Sequence, residues 1–152
     1  MSELRELYQE VILDHGKSPR NFKVNSNATY SKEGFNPLCG DKITLYLEEE
    51  KGCIKDLSFH GCGCAISMAS GSLMTECLIG KPITFAVEIF DIFHQSLTQG
   101  ELTDEQKEKL GKLNILSGVI AFPLRVKCAT LAWHTLKALL NRDNSVISTE
   151  AS

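Results

Sequence analysis

The sequence predicts an α+β fold: a small antiparallel sheet with one apolar face, covered on that face by helices. Three observations predict it. Apolar residues recur at helical spacing over residues 2–15, and again along the chain after Cys64. Between these helical stretches, residues 42–60 alternate apolar and polar on either side of a Lys51-Gly52 turn. The 152 residues suffice for one domain with a real core. Residues 1–142 read as that domain and 143–152 as a polar, flexible C-terminal tail.

Residues 2–15 form the first helix. Leu4, Leu7, Tyr8, Val11 and Ile12 share a face, acids fill the first turn, and Gly16 and Pro19 end it. Residues 21–35 are polar and weakly patterned, a loop with an edge strand near 28–31. Asn36-Pro37-Leu38-Cys39-Gly40-Asp41 is a stiff turn, because Pro37 fixes φ and Gly40 permits a tight bend. Residues 42–50 follow as a strand, with Ile43, Leu45 and Leu47 on one face and Thr44, Tyr46 and Glu48 on the other. A hairpin turn leads into residues 53–60, where Cys53, Leu57 and Phe59 share the apolar face. Gly61-Cys62-Gly63-Cys64 bends sharply and presents thiols. From Ala65 the pattern is helical, with Ile66, Ala69, Leu73 and Cys77 on one side, up to Gly80-Lys81-Pro82. A further helix covers residues 83–97. Thr103 and Gln106 make a capping-box pattern for a short charged helix over 104–110, and residues 112–120 form another short helix. The last helix runs from Pro123 to about Asn141, with Leu131, Trp133, Leu136 and Leu139 apolar and Cys128 in its early part.

Composition excludes several classes of function. A net charge of -3 gives no basis for a nucleic-acid or anionic-membrane partner. No apolar run reaches the length of a membrane span, and the acidic N-terminal residues lack the apolar stretch of a signal peptide. The six cysteines are therefore expected to be reduced thiols of a cytoplasmic protein.

Among these thiols, Cys53 and Cys77 sit on apolar faces and read as small buried hydrophobes. Cys39, Cys62, Cys64 and Cys128 lie at turns or near helix starts. Cys39 and Asp41 are two residues apart, so in an extended segment they converge on one side. A soft thiolate beside a hard carboxylate can share zinc or iron; the plainer alternative is a buried cysteine beside a turn aspartate. Cys64 starts a helix, where the amides and dipole favour a thiolate. On spacing alone Cys62 competes with Cys64 as a ligand. The dispersed C-x-C and C-x-D pairs suit a reactive site better than a closed structural knuckle. His15, His60, His94 and His134 read as satisfied or solvated.

Three motifs in this order carry a specific resemblance. Asn36-Pro37-Leu38-Cys39-Gly40-Asp41, then Gly63-Cys64-Ala65-Ile66-Ser67-Met68-Ala69-Ser70-Gly71-Ser72 with Thr75-Glu76, then Arg125-Val126-Lys127-Cys128-Ala129-Thr130-Leu131 resemble the IscU/NifU family of iron–sulfur cluster assembly proteins. That resemblance implies a three-stranded antiparallel sheet with helices packed on one face. Within the family the chain looks most like the SufU branch. Lys127 stands where scaffold members carry histidine, Ala121-Phe122-Pro123-Leu124-Arg125 replaces their Leu-Pro-Pro-Val-Lys chaperone motif, and the connection before the third cysteine is longer. The SufU resemblance implies a zinc-dependent acceptor of persulfide sulfur, partnered with a SufS-like cysteine desulfurase and other iron–sulfur assembly proteins. It implies zinc ligands Cys39, Asp41, Cys64 and Cys128, with Cys39 as the sulfur acceptor. It also implies that a histidine of the desulfurase displaces Cys39 from the metal. Registering residues 66–76 with the family selects Cys64 over Cys62. The alternative is a scaffold that assembles a 2Fe-2S cluster on the same four residues. Whether the chain counts as an enzyme turns on that choice. Arg125 and Lys127 either orient the site or contact the partner, unless they are simply solvated helix charges.

Overall fold

The computed structural model describes residues 2–37, 40–98, 101–141 and 147–148. The elements are α1 (Ser2–Lys17), β1 (Tyr30–Asn36), β2 (Asp41–Glu50), β3 (Cys53–Cys62), α2 (Ala65–Leu78), α3 (Ile83–Thr98), α4 (Asp104–Leu110), a 3-10 helix (Gly111–Ala121), α5 (Pro123–Leu140) and β4 (Ile147–Ser148). The three-stranded antiparallel sheet and the five helices match the predicted fold class. The two residues of β4, in the segment expected to be loose, pair in parallel with β1, so the sheet order is β3-β2-β1-β4. No helix among the described residues is long and apolar enough to cross a membrane.

β2 follows its alternation closely. Ile43, Leu45 and Leu47 are fully buried, while Thr44 and Tyr46 remain half-buried on the other face. The turn to β3 places both Lys51 and Gly52 at positive φ, 53° and 78°, as a tight hairpin demands. On β3 the expected face assignment needs a correction. Glu48 pairs with Asp56 but Glu49 with Ile54, so Lys55 is an extra residue bulged out of the ladder. The bulge reverses parity: Ile54, Leu57 and Phe59 face the core, and Cys53 is exposed.

β1 is longer than the edge strand expected near 28–31, and it takes in Asn36 from the predicted turn. Its buried positions are Lys32, Gly34 and Asn36, none of them a large apolar side chain. The cause is α5, which lies against β1. A Cβ on Gly34 would overlap the Thr135 side chain and stand 3.3 Å from Leu131. A strand pressed so closely to a helix has no room for the residues that would have announced it.

The helices cover the apolar face of the sheet. α2 is buried along most of its length, and Gly71 lets it approach the Phe59 ring. Trp133 of α5 and Phe93 of α3 pack ring to ring, with centroids 4.8 Å apart, in the middle of the core. α1 runs two residues past its expected end and docks on α2. His15 is buried there, with Nδ1 2.6 Å from the Ser72 hydroxyl. α4 has the full capping box: Gln106 N–H donates to Thr103 Oγ1, and Thr103 N–H donates to Gln106 Oε1. The short helix expected over 112–120 is 3-10 in form.

Candidate metal centre

Three of the four predicted ligands meet where the start of β2, the start of α2 and the second turn of α5 converge. One ligand atom from each of Asp41, Cys64 and Cys128 lies within 4.8 Å of the others. Bond lengths to zinc place the ligand atoms of a tetrahedral site about 3.8 Å apart. Cys64 Sγ and Asp41 Oδ2 are already 3.8 Å apart. The fourth predicted residue, Cys39, lies outside the described residues.

Each side chain is placed by its element. Asp41 opens β2 and is 1% exposed; a buried carboxylate is costly unless it is hydrogen-bonded or bound to a cation. Its Oδ1 accepts the Cys64 backbone N–H at 2.9 Å, which leaves Oδ2 directed at the Cys64 sulfur. This bond requires Gly63, because a Cβ there would stand 2.9 Å from Oδ1. Cys64 is the N-cap of α2, with extended φ and ψ of -71° and 168°, and its carbonyl accepts the Met68 N–H. The free amides and positive end of the helix favour a thiolate at that position. Cys128 is fully buried on α5, and Asn36 Nδ2 donates toward its sulfur at 3.8 Å.

Arg125 lies one turn before Cys128 on α5 and is exposed to solvent. Electrostatic attraction to Cys64 in its thiolate form, then a hydrogen bond to Cys128, raise its guanidinium above the ordinary arginine value. It is a permanent cation beside two thiols. Lys127 is half-buried. Cys62 sits opposite Lys42 at the end of β3, is exposed, and is not in the group that Asp41 forms. Cys77 is half-buried, and desolvation pushes its thiol up.

Two soft sulfurs and one hard oxygen make a donor set for zinc or for iron, with a fourth position left for a further ligand. The residues that sequence reasoning missed are the supporting ones, Asn36 and Gly63. The only signal for Asn36 was its place in the Asn-Pro-Leu-Cys-Gly-Asp run. Gly63 was read as a bend, and its role as clearance for Asp41 is a matter of tertiary contact.

Comparisons with known proteins identify the chain's relatives. Residues 7–129 match the family model of the NifU-like N terminal domain. The chain is 41% identical to an "Iron-sulfur cluster assembly scaffold protein IscU" of Streptococcus pyogenes, over 93% of this chain and 87% of that protein. It is 42% identical to the "Zinc-dependent sulfurtransferase SufU" of Bacillus subtilis, over 90% of each. Among solved structures it resembles a "Putative iron-sulfur cluster assembly scaffold protein for SUF system" from Fervidobacterium islandicum. There the TM-score is 0.82 at 36% identity, covering 90% of this chain and 98% of that one.

Proposed function

The chain belongs to the NifU-like N-terminal domain family, and from that premise we propose that it serves iron–sulfur cluster assembly as a zinc-dependent sulfur acceptor. Its donor of sulfur is the persulfide of a cysteine desulfurase, and its acceptor is Cys39. The observation that carries this reading is the convergence of Asp41, Cys64 and Cys128 at the end of the turn whose sequence holds Cys39. Similarity to the Bacillus subtilis sulfurtransferase supports the zinc and the transfer chemistry.

Asp41, Cys64 and Cys128 would hold zinc together with Cys39. Bound zinc keeps its thiols deprotonated at neutral pH. The transfer itself is a thiolate–sulfur exchange. The Cys39 thiolate attacks the terminal sulfur of the desulfurase persulfide, and a new S–S bond forms on Cys39. The S–S bond of the donor breaks, and its electron pair leaves with the desulfurase cysteine, which takes up a proton. Sulfur moves without net oxidation. Arg125 offsets the negative charge that collects when Cys64 and Cys128 are thiolates. Beside them Ile12, Leu13 and Ile66 line an apolar cleft with Cys64 and Arg125, a surface suited to a protein partner.

The test is incubation with a pyridoxal-phosphate cysteine desulfurase and cysteine, followed by mass spectrometry of the trapped persulfide. The expected result is a persulfide on Cys39 and faster alanine production. Cys39→Ala should abolish both. Full activation by Cys39→Ala, or persulfide found only on Cys62 or Cys77, would overturn the assignment.

A second reading, a scaffold for a 2Fe-2S cluster on the same residues, is favoured by the similarity to the Streptococcus pyogenes scaffold protein. Metal analysis of aerobically purified protein separates the two. One tight zinc and no visible absorbance supports sulfur acceptance, whereas iron with sulfide in a brown protein supports the scaffold.

A further inference from the structure

We propose that Asn36 is a positioning residue of the metal centre: its side-chain amide donates to the Cys128 sulfur and holds that sulfur in the direction of the shared ligand position. The inference rests on the metal-site reading above. Asn36 is the last residue of β1 and is fully buried. A carboxamide at that depth is costly unless it is hydrogen-bonded, so its presence needs a reason. Its Nδ2 donates toward Cys128 Sγ at 3.8 Å. Three further contacts place it. Asn36 is paired with Asp41 across the β1–β2 ladder. Its backbone carbonyl accepts the Gly40 N–H at 2.8 Å, closing the turn that contains Cys39 in sequence. Two residues earlier on the same face, Gly34 abuts Leu131 and Thr135, which lie one and two turns beyond Cys128 on α5. β1 therefore meets α5 along a row, Gly34 on Thr135 and Leu131 and Asn36 on Cys128. The packing of the row sets where the amide points.

The chemistry follows from the acceptor. A sulfur bound to a metal can still accept an N–H, so the amide and the metal can hold Cys128 together. The hydrogen bond also restricts Sγ to one direction, so less rotamer freedom is lost when the metal binds. Outer-shell donors of this kind change metal affinity by about 10–100-fold when removed. An N–H donated to a thiolate also lowers the energy of the sulfur lone pair, so its loss shifts sulfur-to-metal charge transfer to longer wavelength.

The experiment uses the full chain, with Asn36→Leu, an apolar residue of similar volume, and Asn36→Asp, which keeps the shape and loses the donor. Zinc affinity is read by chelator competition and cobalt(II) substitution by the thiolate-to-cobalt absorption band. Circular dichroism and urea unfolding of the metal-free proteins report on the fold. The expected result is a variant whose metal-free fold is retained, whose zinc affinity falls about tenfold or more, and whose cobalt band moves to longer wavelength. If one variant does not fold, the other decides. A variant with unchanged affinity and an unmoved cobalt band overturns the inference, including when its metal-free fold is destabilised, because the role of Asn36 would then be packing alone. If the unmodified protein binds neither zinc nor cobalt, the metal-site reading itself fails and this inference falls with it. Tight binding that Asn36→Leu leaves intact removes this inference only.

Discussion

Gly63 has no room for a side chain, and the reason is one oxygen. A Cβ there would stand 2.9 Å from Asp41 Oδ1, the atom that accepts the Cys64 amide. Gly63→Ala should displace the carboxylate and weaken zinc binding by about tenfold in a chelator competition, while the metal-free fold is retained. An unchanged affinity would show that the carboxylate does not depend on that amide. The two cysteines flanking Gly63 should also separate cleanly. Cys64 caps α2 beside Asp41, whereas Cys62 is exposed opposite Lys42. Metal analysis should find zinc retained in Cys62→Ser and lost from Cys64→Ser, and the reverse outcome would exchange their roles. At this scale the place of Cys64 at a helix start was readable, because the apolar spacing turns helical after it, whereas the preference for Cys64 over Cys62 as ligand also drew on the family resemblance. The support from Gly63 and Asn36 was not, because neither residue type announces what it touches.

Between elements, β1 and α5 meet in a close contact beside the site. Gly34 permits it: an added methyl would overlap the Thr135 hydroxyl, which donates to the Leu131 carbonyl. Gly34→Ala should cost about 1–3 kcal/mol as overpacking. The measurement is the urea midpoint at constant slope, so that a change in midpoint reads as stability. A midpoint within error of the parent would mean that α5 can retreat without cost. The same closeness explains why β1 was poorly legible. Its inward face carries Lys32, Gly34 and Asn36, which break the alternation that made β2 plain. The capping box of α4 was legible because it depends only on residues three apart. The bulge at Lys55 was not, because strand register is a property of two strands in contact.

For the molecule as a whole, the half-buried His134 and the buried His15 should make stability depend on pH. His134 of α5 packs its ring against Phe90 and His94 of α3. Burial first, then the charges of His94 and Lys137, depress its pKa below the ordinary 6.5. His15 shifts the same way, through burial and the Arg20 charge, with Glu76 opposing. The folded protein thus prefers neutral rings, and the unfolded chain binds more protons below about 6.5. The stabilisation is full above that pH and is lost as pH falls toward the depressed folded values. Urea midpoints of metal-free protein should therefore decline as the pH is lowered from about 7.5 to about 5.5. His134→Phe, which keeps an aromatic ring between α3 and α5, should reduce that decline. A slope indifferent to His134→Phe would place the acid loss elsewhere.

What the sequence determined by itself was local. Ile43, Leu45 and Leu47 face one side because a strand alternates, and Cys64 starts a helix because apolar spacing changes after it. Only the tertiary structure decided that Cys53 turns outward, that Asp41, Cys64 and Cys128 come within 4.8 Å, and that a buried amide reaches Cys128. Backbone periodicity is written in neighbouring residues. The meeting of a strand start, a helix cap and a helix turn depends instead on register and on how closely α5 settles on β1, which only the packed core sets.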